Sequence, residues 1–327
     1  KISKSAGSPQ TADAYTSKYG ADILRLWVAS EDYRNDIPVS ENILNHVIAT
    51  YRTLRNTLRF QLGNLFDFDA EKDAVAYDQL MPLDRWALLE TNALIKDVTE
   101  AYEGYDFHKV YQSINRFCTL VLSARYHDIL KDRLYTLRAD GFERRSAQTV
   151  LFEICRVLLR LIAPILTFTA DEAWGYLCGN SDFGYAHAIH LEDFPKVQER
   201  WEDADLKSDF EELFKVREQV QAELEKARQE KLIGQSLDAQ VLLHVDKNHS
   251  WADLLKHYEA FLPEFFIVSA VHLTTGADKE LSIVVKHADG VRCPRTWRWV
   301  DKLVEVEGFG SVSERCAEVL QFWKSNL

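Results

Sequence analysis

Several signatures that would place a chain at sight are missing from this one. Its 327 residues hold five scattered cysteines, which excludes a disulfide scaffold and suits a reducing compartment. No run of 18 uncharged apolar residues occurs. The nearest, around 157–173, is broken by Arg160 with Arg156 and Asp171 at its margins, so no membrane span is expected. No signal peptide, internal repeat or low-complexity tract is legible. There is no glycine-rich phosphate loop of P-loop spacing, and no two carboxylates stand out as a general acid and base.

The residues that are present describe a soluble globular protein of two or more domains, at 46% hydrophobic and 28% charged. The net charge of −12 argues against a polyanionic partner only until it is divided along the chain. Residues 105–170 carry ten Lys/Arg against six Asp/Glu, a local +4, whereas residues 171–230 carry seven against sixteen, a local −9. Attraction to phosphate depends on the local field, so RNA binding by the first half survives the composition test.

Helical periodicity dominates. Ser40 reads as an N-cap before Leu44, Val47, Ile48, Tyr51, Leu54, Leu58 and Leu62, with Gly63 and Asn64 closing the helix. Similar spacing runs through 83–102, 107–134, 142–162 (stopped or kinked at Pro164) and 209–231, while 22–30 suits a short buried helix. The character then changes. Ala239–Val245 and Leu281–Val285 have strand composition, 251–261 looks helical, and 265–273 is a β-leaning apolar run. A short Trp-rich tail with Cys293 and Cys316 closes the chain. The expected fold is mainly α: a helix bundle, then a small α/β module and a tail.

One motif opens the chain. Lys1-Ile2-Ser3-Lys4-Ser5, followed by Ala6-Gly7, sets two lysines three residues apart on a small-residue loop, a way to place ammonium groups on a polyphosphate. Alone, such a string reads as a solvated terminus. In context it resembles the KMSKS signature of class I aminoacyl-tRNA synthetases, and 19–27 (YGADILRLW) is similar to the segment after that signature in the isoleucine, valine and leucine enzymes. Further on, Asp84-Arg85-Trp86, 105–108 (YDFH), 128–135 (DILKDRLY) and 166–174 (LTFTADEAW) resemble the helical anticodon-binding domain of isoleucyl-tRNA synthetases. Residues 231–239 (KLIGQSLDA) resemble the junction after that domain, and 293–297 (CPRTW) the start of the C-terminal zinc module.

The resemblance implies four parts: 1–39, the signature loop and stem-contact segment; 40–200, the helical anticodon-binding domain; 201–286, a helix and small α/β junction; and 287–327, a degenerate zinc-module-like tail. It also implies that this is a C-terminal piece of a longer enzyme. The nucleotide-binding fold, its HIGH motif and the editing domain precede the signature in that family, and no His-x-Gly-His occurs here. ATP phosphates would be contacted by Lys1, Ser3, Lys4 and Ser5, Lys4 foremost, as charge develops between the α- and β-phosphates. ATP and Mg²⁺ are the implied cofactors of the longer enzyme, and isoleucine tRNA is the implied partner. A cytoplasmic monomer without membrane attachment is expected, and the piece alone is expected to be catalytically inactive.

The implied zinc module needs four thiolates, but the inner positions read Thr296 and Ser313 between Cys293 and Cys316. Hydroxyls are poor zinc ligands, so no zinc is expected unless His287 or Glu314 completes a site; packing of Trp297, Trp299, Val300 and Leu303 would hold the tail instead. For tRNA, the candidates are Arg52, Arg55 and Arg59 on one helix face, Arg125, Arg133, Arg144 and Arg145 around a later turn, and Trp297 as a base-stacking platform. The competing readings are a stand-alone helical RNA- or protein-interaction module descended from a synthetase, and the same region of a valine or leucine ligase.

Overall fold

The computed structural model of the protein describes residues 11–37, 39–179, 188–276 and 281–325. Two compact units divide the chain: Lys1–Tyr126 with Gln148–Glu202, and His127–Ala147 with Asp203–Leu327. The second unit thus takes in residues 127–147 as well as the C-terminal part of the chain.

The first unit is helical. α1 (Ala12–Tyr19) is capped by Thr11, whose hydroxyl accepts from the Ala14 N–H. α2 (Ala21–Ser30) turns Ile23, Leu26 and Ala29 inward and also buries Asp22, whose carboxylate accepts from the Thr169 N–H at 2.8 Å and hydroxyl at 2.7 Å. α3 (Glu41–Asn64) starts where expected: the Ser40 hydroxyl accepts from the Ile43 N–H at 3.3 Å. Its stripe of Leu44, Val47, Leu54 and Leu58 is buried. The helix runs through Gly63, because the Asn64 amide folds back and donates to the Phe60 carbonyl at 2.8 Å, holding the last turn.

α4 (Pro82–Glu103) begins with proline in its first turn, where the absent N–H is not needed. α5 (Phe107–Arg116) passes into an eleven-residue stretch, Phe117–His127, with the wider i→i+5 hydrogen bonding, and resumes as α6 (Asp128–Thr136). The expected single helix 107–134 is therefore one helical path with a widened middle. The Thr119 hydroxyl donates to the Asn115 carbonyl at 2.8 Å, a side-chain competitor for the normal ladder just where the widening begins. α7 (Phe142–Ile162) ends before Pro164, and α8 (Thr167–Leu177) comes next. Leu44, Leu83, Leu122 and Leu151 are wholly shielded in this unit, each contributing about 1.5–3 kcal/mol of apolar burial.

In the second unit, α9 (Ala204–Gln229) is charged outside yet buries Phe210, Leu213, Phe214, Val220 and Leu224. β1 (Ala239–Asp246) is the centre of a three-stranded sheet, parallel to β2 (Ala270–Gly276) and antiparallel to β3 (Ser282–His287). Its alternation is regular: Ala239, Val241, Leu243 and Val245 are fully buried and the residues between them half-buried. The crossover from β1 to β2 carries α10 (Ala252–His257) and α11 (Leu262–Phe265). The apolar run at 265–273 is thus only half strand. Phe265 and Phe266 close α11, and the Phe265 ring lies 5.2 Å from that of Phe214 and 6.2 Å from that of Phe210. Core packing of the aromatics decides over strand propensity.

The tail holds two hairpins, β4 (Val291–Arg292) with β5 (Trp299–Val300) and β6 (Val304–Val306) with β7 (Gly310–Val312), then α12 (Glu314–Ser325). Gly290 is required at the base of the first hairpin. Its φ is +96°, and a Cβ there would meet the Val300 carbonyl oxygen at 2.3 Å.

Candidate nucleic-acid interface

The arginines of α3 behave as their spacing implies. Arg52, Arg55 and Arg59 are exposed, one turn apart on a face away from the buried stripe. Arg55 is partly held, donating to the Tyr51 hydroxyl at 3.3 Å with Glu172 at 3.9 Å. Beside Arg55 and Arg59 opens a groove of about 560 Å³ between the C-terminal half of α3, the loop after it and α8. Its floor is apolar, with Leu58, Leu62, Phe68 and Phe152, and its rim carries Phe66 and Tyr176. Those two rings are 81% and 69% exposed, a costly display of aromatic surface unless something stacks on it. Guanidinium groups beside exposed aromatic faces are the combination that holds single-stranded nucleic acid, phosphate on the first and base on the second.

The second group of arginines divides by burial. Arg133 is 3% exposed and ion-paired with Glu264. Arg144 is 5% exposed, donating to the Leu134 and Ala139 carbonyls at 3.2 and 3.1 Å. Neither guanidinium can reach a phosphate, so both are corrected from tRNA contacts to structural residues, Arg144 tying down the turn between α6 and α7 and Arg133 joining α6 to α11. Arg125 and Arg145 are half-buried. Lys1, Ser3, Lys4 and Ser5 lie outside the described residues.

Trp297 stands at the tip of the β4–β5 hairpin with φ +63°, a left-handed conformation that is strained for a tryptophan. Two backbone bonds impose it: Trp297 N–H to the Cys293 carbonyl and Cys293 N–H to the Arg298 carbonyl, both 2.8 Å. The indole is 53% exposed, with the Arg292 guanidinium 5.4 Å from its ring, so it is not the core residue that tail packing would have made it. Its neighbour Trp299 does the anchoring, donating from Nε1 to Asp238 at 3.1 Å and from its backbone to Ser269 at 2.8 Å. Trp297 borders a second cleft of about 450 Å³, with Lys131, Tyr135, Gln235, Arg295 and Arg298 among its walls.

Behind the hairpin loop, Cys293 and Thr296 meet Ser313 and Cys316 from the start of α12, and all four are buried. The Cys293 sulfur accepts from the Ser313 N–H at 3.4 Å and lies 3.9 Å from the Cys316 sulfur. Burial alone would push the Cys293 thiol up, but hydrogen bonds from Thr296 and Ser313 outweigh it and bring the thiol down to about 6.

The family described as the anticodon-binding domain of tRNA ligases matches residues 84–243. Isoleucine–tRNA ligases of Thermotoga petrophila, Symbiobacterium thermophilum and Carboxydothermus hydrogenoformans are 44%, 43% and 44% identical, over 98–99% of this chain and 35% of each relative. Over nearly its whole length the chain is similar to one part of these isoleucine–tRNA ligases. It spans about a third of the length of these relatives. A LeuRS–tRNA–LeuAMS ternary complex from Agrobacterium radiobacter aligns at a TM-score of 0.48 and 17% identity, over 88% of this chain and 31% of that one.

The zinc that the tail's resemblance implies does not fit the donor set. Two sulfurs and two neutral hydroxyls leave a dication short of thiolate charge. The Arg295 guanidinium lies 3.6 Å from the Cys316 sulfur, putting a positive charge against the place a cation would need. His287 and Glu314 are engaged elsewhere, the imidazole with the Ala288 carbonyl and against Trp299, the carboxylate with Lys302. Sequence reasoning missed Phe66 and Tyr176 as partners of Arg55 and Arg59. Neither carries a clear signal in the sequence: Phe66 sits between Leu65 and Asp67, and Tyr176 lies in the apolar run Trp174-Gly175-Tyr176-Leu177-Cys178, which reads as core.

Proposed function

We propose that this chain is the tRNA-reading part of an isoleucine–tRNA ligase, binding the anticodon region of isoleucine tRNA. The observation that carries the reading is the row Arg52, Arg55 and Arg59 beside the aromatic-rimmed groove of α3 and α8. The arginines hold phosphates of the loop, while Phe66 and Tyr176 offer faces to unstacked bases. Trp297, presented by a strained hairpin with Arg292 behind it, is a further stacking face.

The ligase reaction belongs to the longer protein, in which isoleucine is activated with ATP and Mg²⁺ and then esterified to the tRNA 3′ end. Lys4 is the residue of this chain assigned to the ATP phosphates there, with Lys1, Ser3 and Ser5 in support. The chain alone has no ATP–pyrophosphate exchange activity, and it acts in the cytoplasm as a monomer. Among the described residues, no helix is long and apolar enough to cross a membrane. A nuclease footprint on an isoleucine tRNA transcript tests the reading. Protection of the anticodon loop with an unprotected acceptor end is expected, whereas protection confined to the acceptor end, or none, overturns it.

A further inference from the structure

The misfit between the tail and zinc leaves a buried pair of thiols with a use of its own. Cys293 lies at the end of β4 and Cys316 in the first turn of α12, both fully shielded, with their sulfurs 3.9 Å apart. They belong to one small apolar cluster with Val306, Val312, Ala317 and Leu320, so the two backbones are already held together before any bond forms. A disulfide needs the sulfurs at about 2.0 Å, a closure within reach of side-chain rotation when the elements are pre-positioned. Cys118, Cys155 and Cys178, by contrast, lie in or beside the helices of the other unit.

We propose that Cys293 and Cys316 are a reversible dithiol–disulfide site, a covalent clasp across the tail where the family's resemblance implies a metal. The oxidant is a small hydroperoxide. The Cys293 thiolate attacks the outer peroxide oxygen, forming an S–O bond as the O–O bond breaks, and the alkoxide or hydroxide released takes a proton. The Cys316 thiolate then attacks the resulting sulfenic sulfur, forming the S–S bond and expelling hydroxide, which leaves as water. Two thiols and one hydroperoxide thus give one disulfide, one alcohol (water when the oxidant is hydrogen peroxide) and one water; a dithiol reductant reverses the product.

The surroundings assign the order of attack. The Ser313 N–H points at the Cys293 sulfur at 3.4 Å and stabilises negative charge there. Arg295, fixed by its bond to the Thr136 carbonyl at 2.6 Å, lies 3.6 Å from the Cys316 sulfur and suits an anionic second nucleophile. The inference is independent of RNA binding.

Its test is a peptide map of the folded chain after treatment with a slight excess of hydrogen peroxide, quenched, denatured and alkylated. The expected product is a Cys293–Cys316 linked peptide two hydrogens lighter than the reduced pair, lost on dithiothreitol treatment, with alkylatable thiols falling from five to three. Cys178→Ser retains the link and Cys316→Ser abolishes it. With the ring closed, amide exchange in β6 and β7 slows by about two orders of magnitude, from the chain entropy removed. Full alkylation of Cys293 and Cys316 after native oxidation, or a link that forms only in denaturant, overturns the proposal.

Discussion

Burial divides the candidate arginines into two kinds, and their replacement separates the two by magnitude. The triple variant Arg52→Ala, Arg55→Ala, Arg59→Ala removes three exposed guanidiniums that hold no core together. Each phosphate contact contributes about 0.7–0.9 to the slope of log affinity against log salt. The slope should therefore fall by about 2–3, and binding that drops steeply between 50 and 200 mM salt in the parent should lose roughly 20- to 40-fold of that drop in the variant. Thermal stability should barely move. Arg144→Ala should do the reverse. It strips the Leu134 and Ala139 carbonyls of a buried donor, at about 1–3 kcal/mol for each group left unpaired. Its melting temperature should fall while the salt slope of the folded protein stays put. Fluorescence anisotropy with labelled isoleucine tRNA across a salt series, beside calorimetry, reads both. An unchanged slope in the triple variant, or a reduced one in Arg144→Ala with normal stability, would refute the division.

Three further outcomes rest on the same structure. Trp297→Ala should weaken tRNA binding by about 1–3 kcal/mol without lowering stability, as the proposed stacking of an exposed indole on bases requires; competition binding and melting curves check this. Asp132→Asn should destabilise the second unit by about 1–3 kcal/mol in urea unfolding. Burial raises that carboxyl, but Arg315, bound through two contacts at 2.8 and 2.9 Å, and Arg298 pull it below the usual range, and the variant leaves their charge uncompensated. Burial, with Lys131 nearby, drops His127 to about 3 from its ordinary 6.5. The unfolded imidazole therefore takes up its proton first. Stability present above pH 6.5 is lost as the pH falls toward 3, by up to about 1.4 kcal/mol per unit, and His127→Leu should flatten that part of a pH series.

The bundle was legible because its long helices keep their apolar residues at 3.6-residue spacing and announce their starts, as Ser40 does with a hydroxyl on the Ile43 N–H. The widened stretch at 117–127 was not, since spacing records which residues face inward and not which carbonyl each N–H chooses. Phe265 and Phe266 read as strand because β-propensity and aromatic core packing favour the same residues. Helical spacing was enough to place Arg52, Arg55 and Arg59 on the exposed face of α3. It misled for Arg133 and Arg144, whose charge looks solvent-facing in a sequence until the carbonyls and the carboxylate that hold them are seen. Trp297 was recognised as an RNA candidate, while its exposure and positive φ came only from the hairpin that presents it.

The central claim is that this chain reads an anticodon rather than merely holding a backbone. Its most direct test is binding to isoleucine tRNA transcripts carrying the native anticodon or a substituted one, at low and moderate salt. Tighter binding to the native anticodon is expected, with the preference persisting as salt weakens both complexes and collapsing when Phe66, Tyr176 and Trp297 are replaced by alanine. Equal affinity for the two transcripts at every salt concentration would contradict it.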